Sequence, residues 1–156
     1  MNTPLRTTLA LAGAVALVAG SAAPALASST AGRPLTATLS GANEVTAAGL
    51  TGVGDPDGAG SARVTINVGQ KRLCFSLKVT GVVTPTAVAH IHDADAGVAG
   101  PVVIPIGAPG VDGTASGCVP VARALLKEIL HDPAGYYVNV HTSEFPGGAV
   151  RGQLAK

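Results

Sequence analysis

Three histidines in two short segments have the residue type and spacing of a metal site. His90 and His92 lie two residues apart in AHIHDADAGVAGP, and His141 follows in YYVNVHTSEFPGG. Neutral imidazole is the commonest protein ligand of zinc and copper. Side chains two residues apart share one face of a β-strand. The pattern therefore predicts a copper or zinc site, provided that the strands carrying these histidines are neighbours.

Polar side chains in the last two predicted strands extend this histidine surface. In the first of these strands Asn139 shares a face with His141, and in the second Arg151 and Gln153 share a face. A short loop joins the two strands, which favours their adjacency in one sheet. A fourth metal ligand would be water or a carboxylate. The carboxylates near the histidines in sequence are Asp93, Asp95 and Glu144.

A second interpretation of the same residues is structural. Histidines near strand ends can hydrogen-bond to loop carbonyls, and Asn139 and Thr142 can organise turns through bonds to the backbone. Arg151 can pair with Glu144 or with an aspartate of the first segment. In this interpretation the two segments hold one end of the fold together and bind no ligand. The sequence leaves both interpretations open.

A catalytic role is the least favoured interpretation. The H-x-H pair also occurs in copper-zinc superoxide dismutases, but those enzymes need more histidines than this chain supplies. The fourth histidine, His131, is predicted at a helix end, where it favours the helix dipole. The chain contains no G-x-S-x-G nucleophile elbow. We therefore expect a non-catalytic protein, with a copper-dependent oxidoreductase as the remote alternative.

The apolar pattern predicts an all-β fold with one short amphipathic helix. Helical spacing of apolar residues predicts about ten helical residues within 120–135, starting near Pro120. Gly-rich 43–60 and 107–117 are predicted loops, and Pro105 places the fifth strand at a sheet edge. Short strands between turn signals predict an antiparallel sandwich or barrel of about seven strands. The predicted strands are 35–41, 61–68, 72–79, 86–92, 101–106, 136–142 and 148–154.

The start of the chain has the pattern of a secretory signal peptide, predicted over residues 1–27. A positive charge precedes an apolar stretch too short to span a bilayer, and Ala25 and Ala27 fit the small-residue cleavage pattern. Cleavage after Ala27 would make Ser28 the first mature residue, and 28–34 is predicted to be a disordered leader. The sequence therefore predicts a secreted, extracellular or cell-envelope protein.

The two cysteines fit the same compartment. Disulfides persist in exported proteins, so Cys74 and Cys118 are expected to form one bridge. Two buried thiols or a thiolate metal site are the rival interpretation, but the C-x-x-C spacing of many thiolate metal sites is missing.

The charge balance bears on the classes of partner. Loss of Arg6 with the signal peptide would leave nine Lys and Arg against nine Asp and Glu. A neutral chain without a basic stripe or an aromatic platform argues against nucleic acid. No later segment is apolar for long enough to cross a membrane, so we expect no membrane insertion after signal removal. The remaining partner classes are a metal ion and an extracellular protein.

The two histidine segments resemble the hallmark blocks of the CHRD domain, which is named after chordin and also occurs in secreted bacterial proteins. The first block is AHIHDADAGVAGPVV, and YYVNVHTSEFPGGAVRGQL is the second. LTATLSGANEV resembles the usual opening of the family, and the resemblance covers residues 35–154. It implies an immunoglobulin-like all-β domain outside the cytoplasm, and it implies no settled biochemical activity. We therefore expect a secreted, non-catalytic binding or envelope module.

Overall fold

Eight antiparallel strands and one helix form the fold in a computed structural model that describes residues 32–156. The strands are β1 Arg33–Ser40, β2 Ala59–Asn67, β3 Arg72–Thr80, β4 Val88–Asp93, β5 Val102–Ile106, β6 Thr114–Pro120, β7 Tyr136–His141 and β8 Val150–Gln153. The helix α1 spans Arg123–His131, and short 3-10 turns span Gly41–Asn43 and Pro133–Gly135. The predicted signal peptide and its cleavage residues, Ala25, Ala27 and Ser28, lie outside the described residues.

The strands belong to one sheet in the order β5-β4-β7-β8-β1-β2-β3-β6. Both halves of this sheet contribute to a single apolar core, in which Val64 of β2 and Val138 of β7 are fully buried. The two ends of the sheet also approach each other. A Cβ added at Gly107, just after β5, would lie 3.1 Å from Phe75 Cζ in β3. The all-β prediction is confirmed as a nearly closed, barrel-like sheet.

The helix α1 closes one side of the core. Leu126 and Ile129, three residues apart, are fully buried, whereas Lys127 and Glu128 between them are exposed. This is the spacing at which helical side chains share a face, so the helix prediction is confirmed. The helix begins at Arg123, however, and Pro120 is the last residue of β6. No described helix is long and apolar enough to cross a membrane.

The strand β6 was missed because its residues carry no alternating apolar signal. The sequence predicts a loop at 107–117, but Thr114–Pro120 pairs with β3 along its whole length. The strand β6 is the last strand of the sheet, and none of its residues is buried. It therefore has no buried face that would require alternating apolar residues. The start of β1 was also missed. Arg33 and Pro34 are the last two residues of the predicted disordered leader, but both belong to β1 and pair with β2.

The structure confirms two details of the prediction, the disulfide and the position of β5. Cys74 and Cys118 face each other on β3 and β6 and form the predicted disulfide. The strand β5 lies at one end of the sheet, as the proline within it predicts. The sheet order also makes β4, β7 and β8 consecutive neighbours, which is the condition that the histidine hypothesis required.

Candidate metal centre

The histidine surface is one face of the three adjacent strands β4, β7 and β8. Because the pairs are antiparallel and in register, side chains of the same face line up across the strands. His141 lies one row beyond, opposite Val88 of β4. The residues directly opposite one another form two rows, His90–Asn139–Arg151 and His92–Tyr137–Gln153.

Nitrogen atoms of the three histidines converge. One ring nitrogen each of His90, His92 and His141 lies within 4.8 Å of the other two. His90 Nδ1 and His141 Nε2 are 3.4 Å apart. Two nitrogens that share an ion at about 2.0–2.1 Å are at most about 4.2 Å apart. The closest pair is already in that range, and the widest separation needs a closure of less than about 1 Å.

Loop carbonyls fix the orientation of two of the rings. His92 Nδ1 lies 2.9 Å from the Gly100 carbonyl, and His141 Nδ1 lies 3.0 Å from the Pro146 carbonyl. A carbonyl oxygen only accepts, so both Nδ1 atoms carry the proton and both Nε2 atoms carry a lone pair, which at His141 faces His90 Nδ1. His92 Nε2 is buried and has no hydrogen-bond partner. Metal-binding histidines typically show this arrangement, in which the second nitrogen donates to a backbone carbonyl.

The surroundings of His90 and His92 favour the neutral form of their imidazoles. Burial lowers the pKa of His90, and the adjacent His141 and His92 rings lower it further. Burial also lowers the pKa of His92, although its hydrogen bond to Gly100 acts in the opposite direction. A metal ion needs the neutral, lone-pair form of the ring. Burial therefore favours the ligand form of His90 and His92.

A stack of three side chains holds His92 in place. The His92 ring lies parallel to Tyr137, with 4.7 Å between ring centroids, and Arg151 Cζ lies 3.4 Å from the centroid of Tyr137. The Tyr137 hydroxyl accepts from the Gly100 amide at 3.1 Å. Gly100 thus bonds to His92 through its carbonyl and to Tyr137 through its amide. Tyr137 lies two residues from Asn139 and so alternates onto the same strand face, but its residue type alone did not indicate a role in the site.

Arg151 and Gln153 bind the loop between β4 and β5. Arg151 donates from Nη1 to the Val98 carbonyl at 2.8 Å and from Nη2 to the Asp95 carbonyl at 2.9 Å. Gln153 Nε2 donates to the Ala94 carbonyl at 3.0 Å. The sequence suggested that Arg151 pairs with the carboxylate of Glu144 or of an aspartate in the first segment. Its guanidinium instead donates to backbone carbonyls. These carbonyls lie in a loop, have no partner in a neighbouring strand, and can therefore accept from the guanidinium.

The carboxylates named from the sequence do not join the nitrogen cluster. Asp93 is the last residue of β4, where alternation turns it to the face opposite His92, and it lines a surface groove with Tyr136. Glu144 is exposed at the rim of a cleft beside the cluster. The cluster of convergent ligand atoms in the described part of the chain consists of His90, His92 and His141 alone.

Glu44 is a site residue that sequence reasoning missed. It is 2% exposed, and its Oε2 accepts from Asn139 Nδ2 at 3.3 Å. Burial raises its pKa from 4.5 to about 7, against the lowering effects of Arg151 and Asn139. Gly148, at φ +138°, packs on this carboxylate, since an added Cβ would lie 2.5 Å from Glu44 Oε2. No local pattern distinguishes Glu44 within its Gly-rich loop.

A Glu44→Gln variant is expected to remove one component of the pH dependence of stability. The raised pKa of Glu44 means that the folded state binds its proton more tightly than the unfolded chain does. This stabilising contribution is present below pH 4.5 and is lost as the pH rises through about 7. Relative to the variant, the parent should lose about 3 kcal/mol of unfolding free energy over that range.

Urea unfolding at a series of pH values, with chelator present, measures this difference. Glu128→Gln is the control, because it removes an exposed carboxylate of α1. Parallel pH profiles for the parent and Glu44→Gln would contradict the prediction.

Comparison with known proteins gives one match. The family model described as the CHRD domain matches residues 35–154, which is most of the chain. No curated protein and no solved structure matches. Both histidine segments, the Glu44 loop and all eight strands overlap the matched range.

Proposed function

Because this chain belongs to the CHRD domain family, we propose that it is a secreted, non-catalytic binding module that holds one transition-metal ion. The ion is bound by His90, His92 and His141. The observation that carries this proposal is the convergence of the three ring nitrogens. The buried Nε2 of His92, which has no protein partner, supports it. An ion at the centre of the cluster would satisfy that nitrogen.

The ligand set selects the class of metal. Three neutral imidazoles without a carboxylate suit copper or zinc, whereas magnesium and calcium prefer oxygen ligands. Nitrogen ligands bind copper(II) more tightly than zinc in the Irving–Williams order. We therefore propose copper(II) as the tighter ion and zinc as the weaker one. Water would complete the coordination, since the neighbouring carboxylates Asp93 and Glu144 lie outside the cluster.

Two observations support a location outside the cytoplasm. The bond between Cys74 and Cys118 is of a kind that persists in oxidising compartments. Members of the CHRD family are extracellular or envelope proteins, and the signal-peptide pattern of residues 1–27 fits that location. The ion would accordingly be taken up from the extracellular or envelope space.

The second candidate is a structural or protein-interaction module of the cell envelope. The bonds from His92 and His141 to loop carbonyls favour it, because they attach the Gly100 and Pro146 loops to the sheet. In that case the histidines stabilise the fold and the binding surface lies elsewhere. The two candidates differ in one measurable property, which is whether loss of a histidine matters only when metal is present.

Titration of the chelator-treated protein with copper(II) and zinc tests the proposal. We expect the parent to bind one ion per chain. Loss of a residue that only supports a ligand weakens metal binding by about 10–100-fold. Because His92 is itself a proposed ligand, we expect His92→Phe to bind copper at least about 100-fold more weakly than the parent. Phenylalanine keeps an aromatic ring on Tyr137 but removes both nitrogens. His131→Ala is the matched control, because His131 lies in α1 outside the cluster.

Thermal unfolding separates the two candidates. A metal site predicts that copper raises the melting temperature of the parent and of His131→Ala but not that of His92→Phe. A structural role predicts that His92→Phe lowers the melting temperature equally with copper and with chelator. Binding no tighter than that of an exposed histidine would exclude the metal function.

A further inference from the structure

We propose that Glu44 and Asn139 form a buried pair of a carboxylic acid with a carboxamide, in which Glu44 Oε1 carries a proton and donates a hydrogen bond to Asn139 Oδ1. This pair is a latch that holds the segment 44–53 on the sheet while the acid is neutral, and it weakens when the acid ionises. The inference requires no metal ion and is independent of the proposed function. It adds a pH-dependent element to the loop that forms one wall of the cleft beside the histidine cluster.

Two oxygen atoms at this contact lack a partner. In the described part of the chain, the buried side-chain nitrogen and oxygen atoms without a partner are Glu44 Oε1, Asn139 Oδ1 and His92 Nε2. The proposed ion accounts for His92. The other two atoms belong to side chains that already contact each other, because Asn139 Nδ2 donates to Glu44 Oε2 at 3.3 Å. Both oxygens are buried away from bulk water, and such unpartnered atoms are rare in folded proteins.

A single proton on Glu44 satisfies both oxygens. An ionised carboxylate and an amide oxygen can only accept, so they cannot bond to each other. A protonated carboxyl has one donor and keeps an acceptor on its second oxygen. It therefore matches a carboxamide, which also offers one donor and one acceptor. Asn139 Nδ2 then donates to Glu44 Oε2, Glu44 Oε1 donates to Asn139 Oδ1, and neither side chain keeps an unpartnered oxygen.

Uncharged neighbours enclose the Glu44 carboxyl. Glu44 is 2% exposed. A Cβ added at Gly54 would lie 2.5 Å from Glu44 Cγ, and one added at Gly148 would lie 2.5 Å from Glu44 Oε2. A buried carboxylate without full hydrogen bonding is costly, so this environment favours the neutral acid. Burial accordingly raises the pKa of Glu44 to about 7.

Arg151 is the charged group that acts on Glu44. Its positive charge lowers the pKa of the carboxyl, but burial raises that pKa by more. The guanidinium donates to the carbonyls of Asp95 and Val98, whereas Glu44 Oε1 has no partner. Beyond the Asn139 amide, the carboxyl therefore lacks a donor that would stabilise its ionised form.

The segment 44–53 depends on this pair for its attachment to the sheet. Its backbone bonds are largely internal, and one of them joins the Gly52 amide to the Glu44 carbonyl at 2.8 Å. Among the described residues, the hydrogen bond that joins the segment to a strand is the bond between Glu44 and Asn139. Most of the segment is exposed, and Val45 is its buried apolar side chain. Loss of the pair should therefore permit local opening of the segment.

The direction of the pH effect follows from the raised pKa of Glu44. The folded state stabilises the neutral acid, so the latch is strongest below pH 4.5 and weakens as the pH rises to about 7. Opening would move one wall of the cleft that His92 and Tyr137 also line. The residues that the segment contributes to this wall are Val45, Thr46, Ala47 and Val53.

Hydrogen exchange of the Gly52 amide measures the latch, because this amide is bonded within the segment. With chelator present, we expect its protection factor to fall by up to about tenfold per pH unit between pH 5 and 7 and to level off above that range. Glu44→Gln should show no such fall, because a glutamine amide can donate to Asn139 Oδ1 and accept from Nδ2 at every pH. Glu128→Gln, which changes an exposed carboxylate of α1, is the matched control and should behave as the parent does.

An Asn139→Leu variant tests whether Asn139 accepts the proton. Carbon-13 NMR titration of the Glu44 carboxyl gives its pKa in each protein. If Asn139 accepts the acid proton, its loss destabilises the neutral form, and the carboxyl should bind its proton about threefold or more weakly. If Asn139 only donates to the ionised carboxylate, its loss should raise the pKa of Glu44 instead.

The outcomes separate the pair from the latch. A Glu44 pKa near 4.5 in the parent, or a higher pKa in Asn139→Leu than in the parent, would show that the pair does not form. A fall in Gly52 protection that Glu44→Gln shares with the parent would show that the pair is not a latch. If Asn139→Leu does not fold, the side-chain amide of Glu44→Gln decides the question. Slow exchange of its N–H groups with solvent supports a bond to Asn139 Oδ1, and rapid exchange contradicts it.

Discussion

An Arg151→Met variant is expected to unfold with about 4–5 kcal/mol less free energy than the parent. Arg151 is 2% exposed, although it is charged. Its guanidinium donates to the carbonyls of Asp95 and Val98 and lies on the ring of Tyr137. Methionine replaces much of the side-chain volume but none of these interactions.

The expected magnitude comes from the interactions of the buried guanidinium. Each of its two charge-assisted hydrogen bonds to the loop contributes about 1.5–3 kcal/mol, and the cation–π contact with Tyr137 contributes about 1–2 kcal/mol. Urea unfolding with chelator present measures the change without a contribution from metal. Arg63→Met is the control, because Arg63 is exposed on β2. A loss below about 1 kcal/mol for Arg151→Met would show that the loop does not depend on the guanidinium.

Removal of the disulfide by Cys74→Ser and Cys118→Ser together is expected to lower the unfolding free energy by about 4 kcal/mol. The bridge joins residues 44 positions apart, and restricting an unfolded loop of that length supplies about this amount in the chain-entropy model. Cys118 is exposed and Cys74 only half-buried, so little apolar burial is lost with the sulfurs. The effect should therefore arise mainly in the unfolded chain.

The neighbouring serine pair provides the control for this double variant. Ser76 and Ser116 face each other on the same two strands, two residues from the cysteines, and both are exposed. Ser76→Ala with Ser116→Ala should change the unfolding free energy by less than about 1 kcal/mol. The parent treated with a reducing agent should match the cysteine variant. Equal stability of the oxidised parent and the cysteine variant would contradict the prediction.

Alternation of side chains was the informative signal for both the fold and the site. It placed His90 and His92 on one face of β4, and register across β4, β7 and β8 then brought Asn139 and Arg151 beside them. A strand with one buried face must alternate, so its pattern is visible in sequence. The strand β6 has no buried residue and consequently showed no pattern.

The loop contacts of the site could not be predicted in the same way. Glu44 reaches Asn139 across 95 sequence positions, and Arg151 reaches the Val98 carbonyl across 53. Such contacts depend on how a loop folds over the sheet, and a single sequence carries no periodic signal for that path. Asp93 shows an error of another kind. Its proximity to His92 in sequence suggested that it could be a metal ligand, but alternation along β4 turns it to the face opposite His92.

The prolines near the two ends of the sheet limit how copies of this protein can associate. The terminal strands are β5 and β6, and Pro105 lies within the first while Pro120 ends the second. Unpaired N–H groups along an edge strand are a template on which another chain can add, and proline has no N–H to offer. Edge-to-edge polymerisation is thereby disfavoured at both ends.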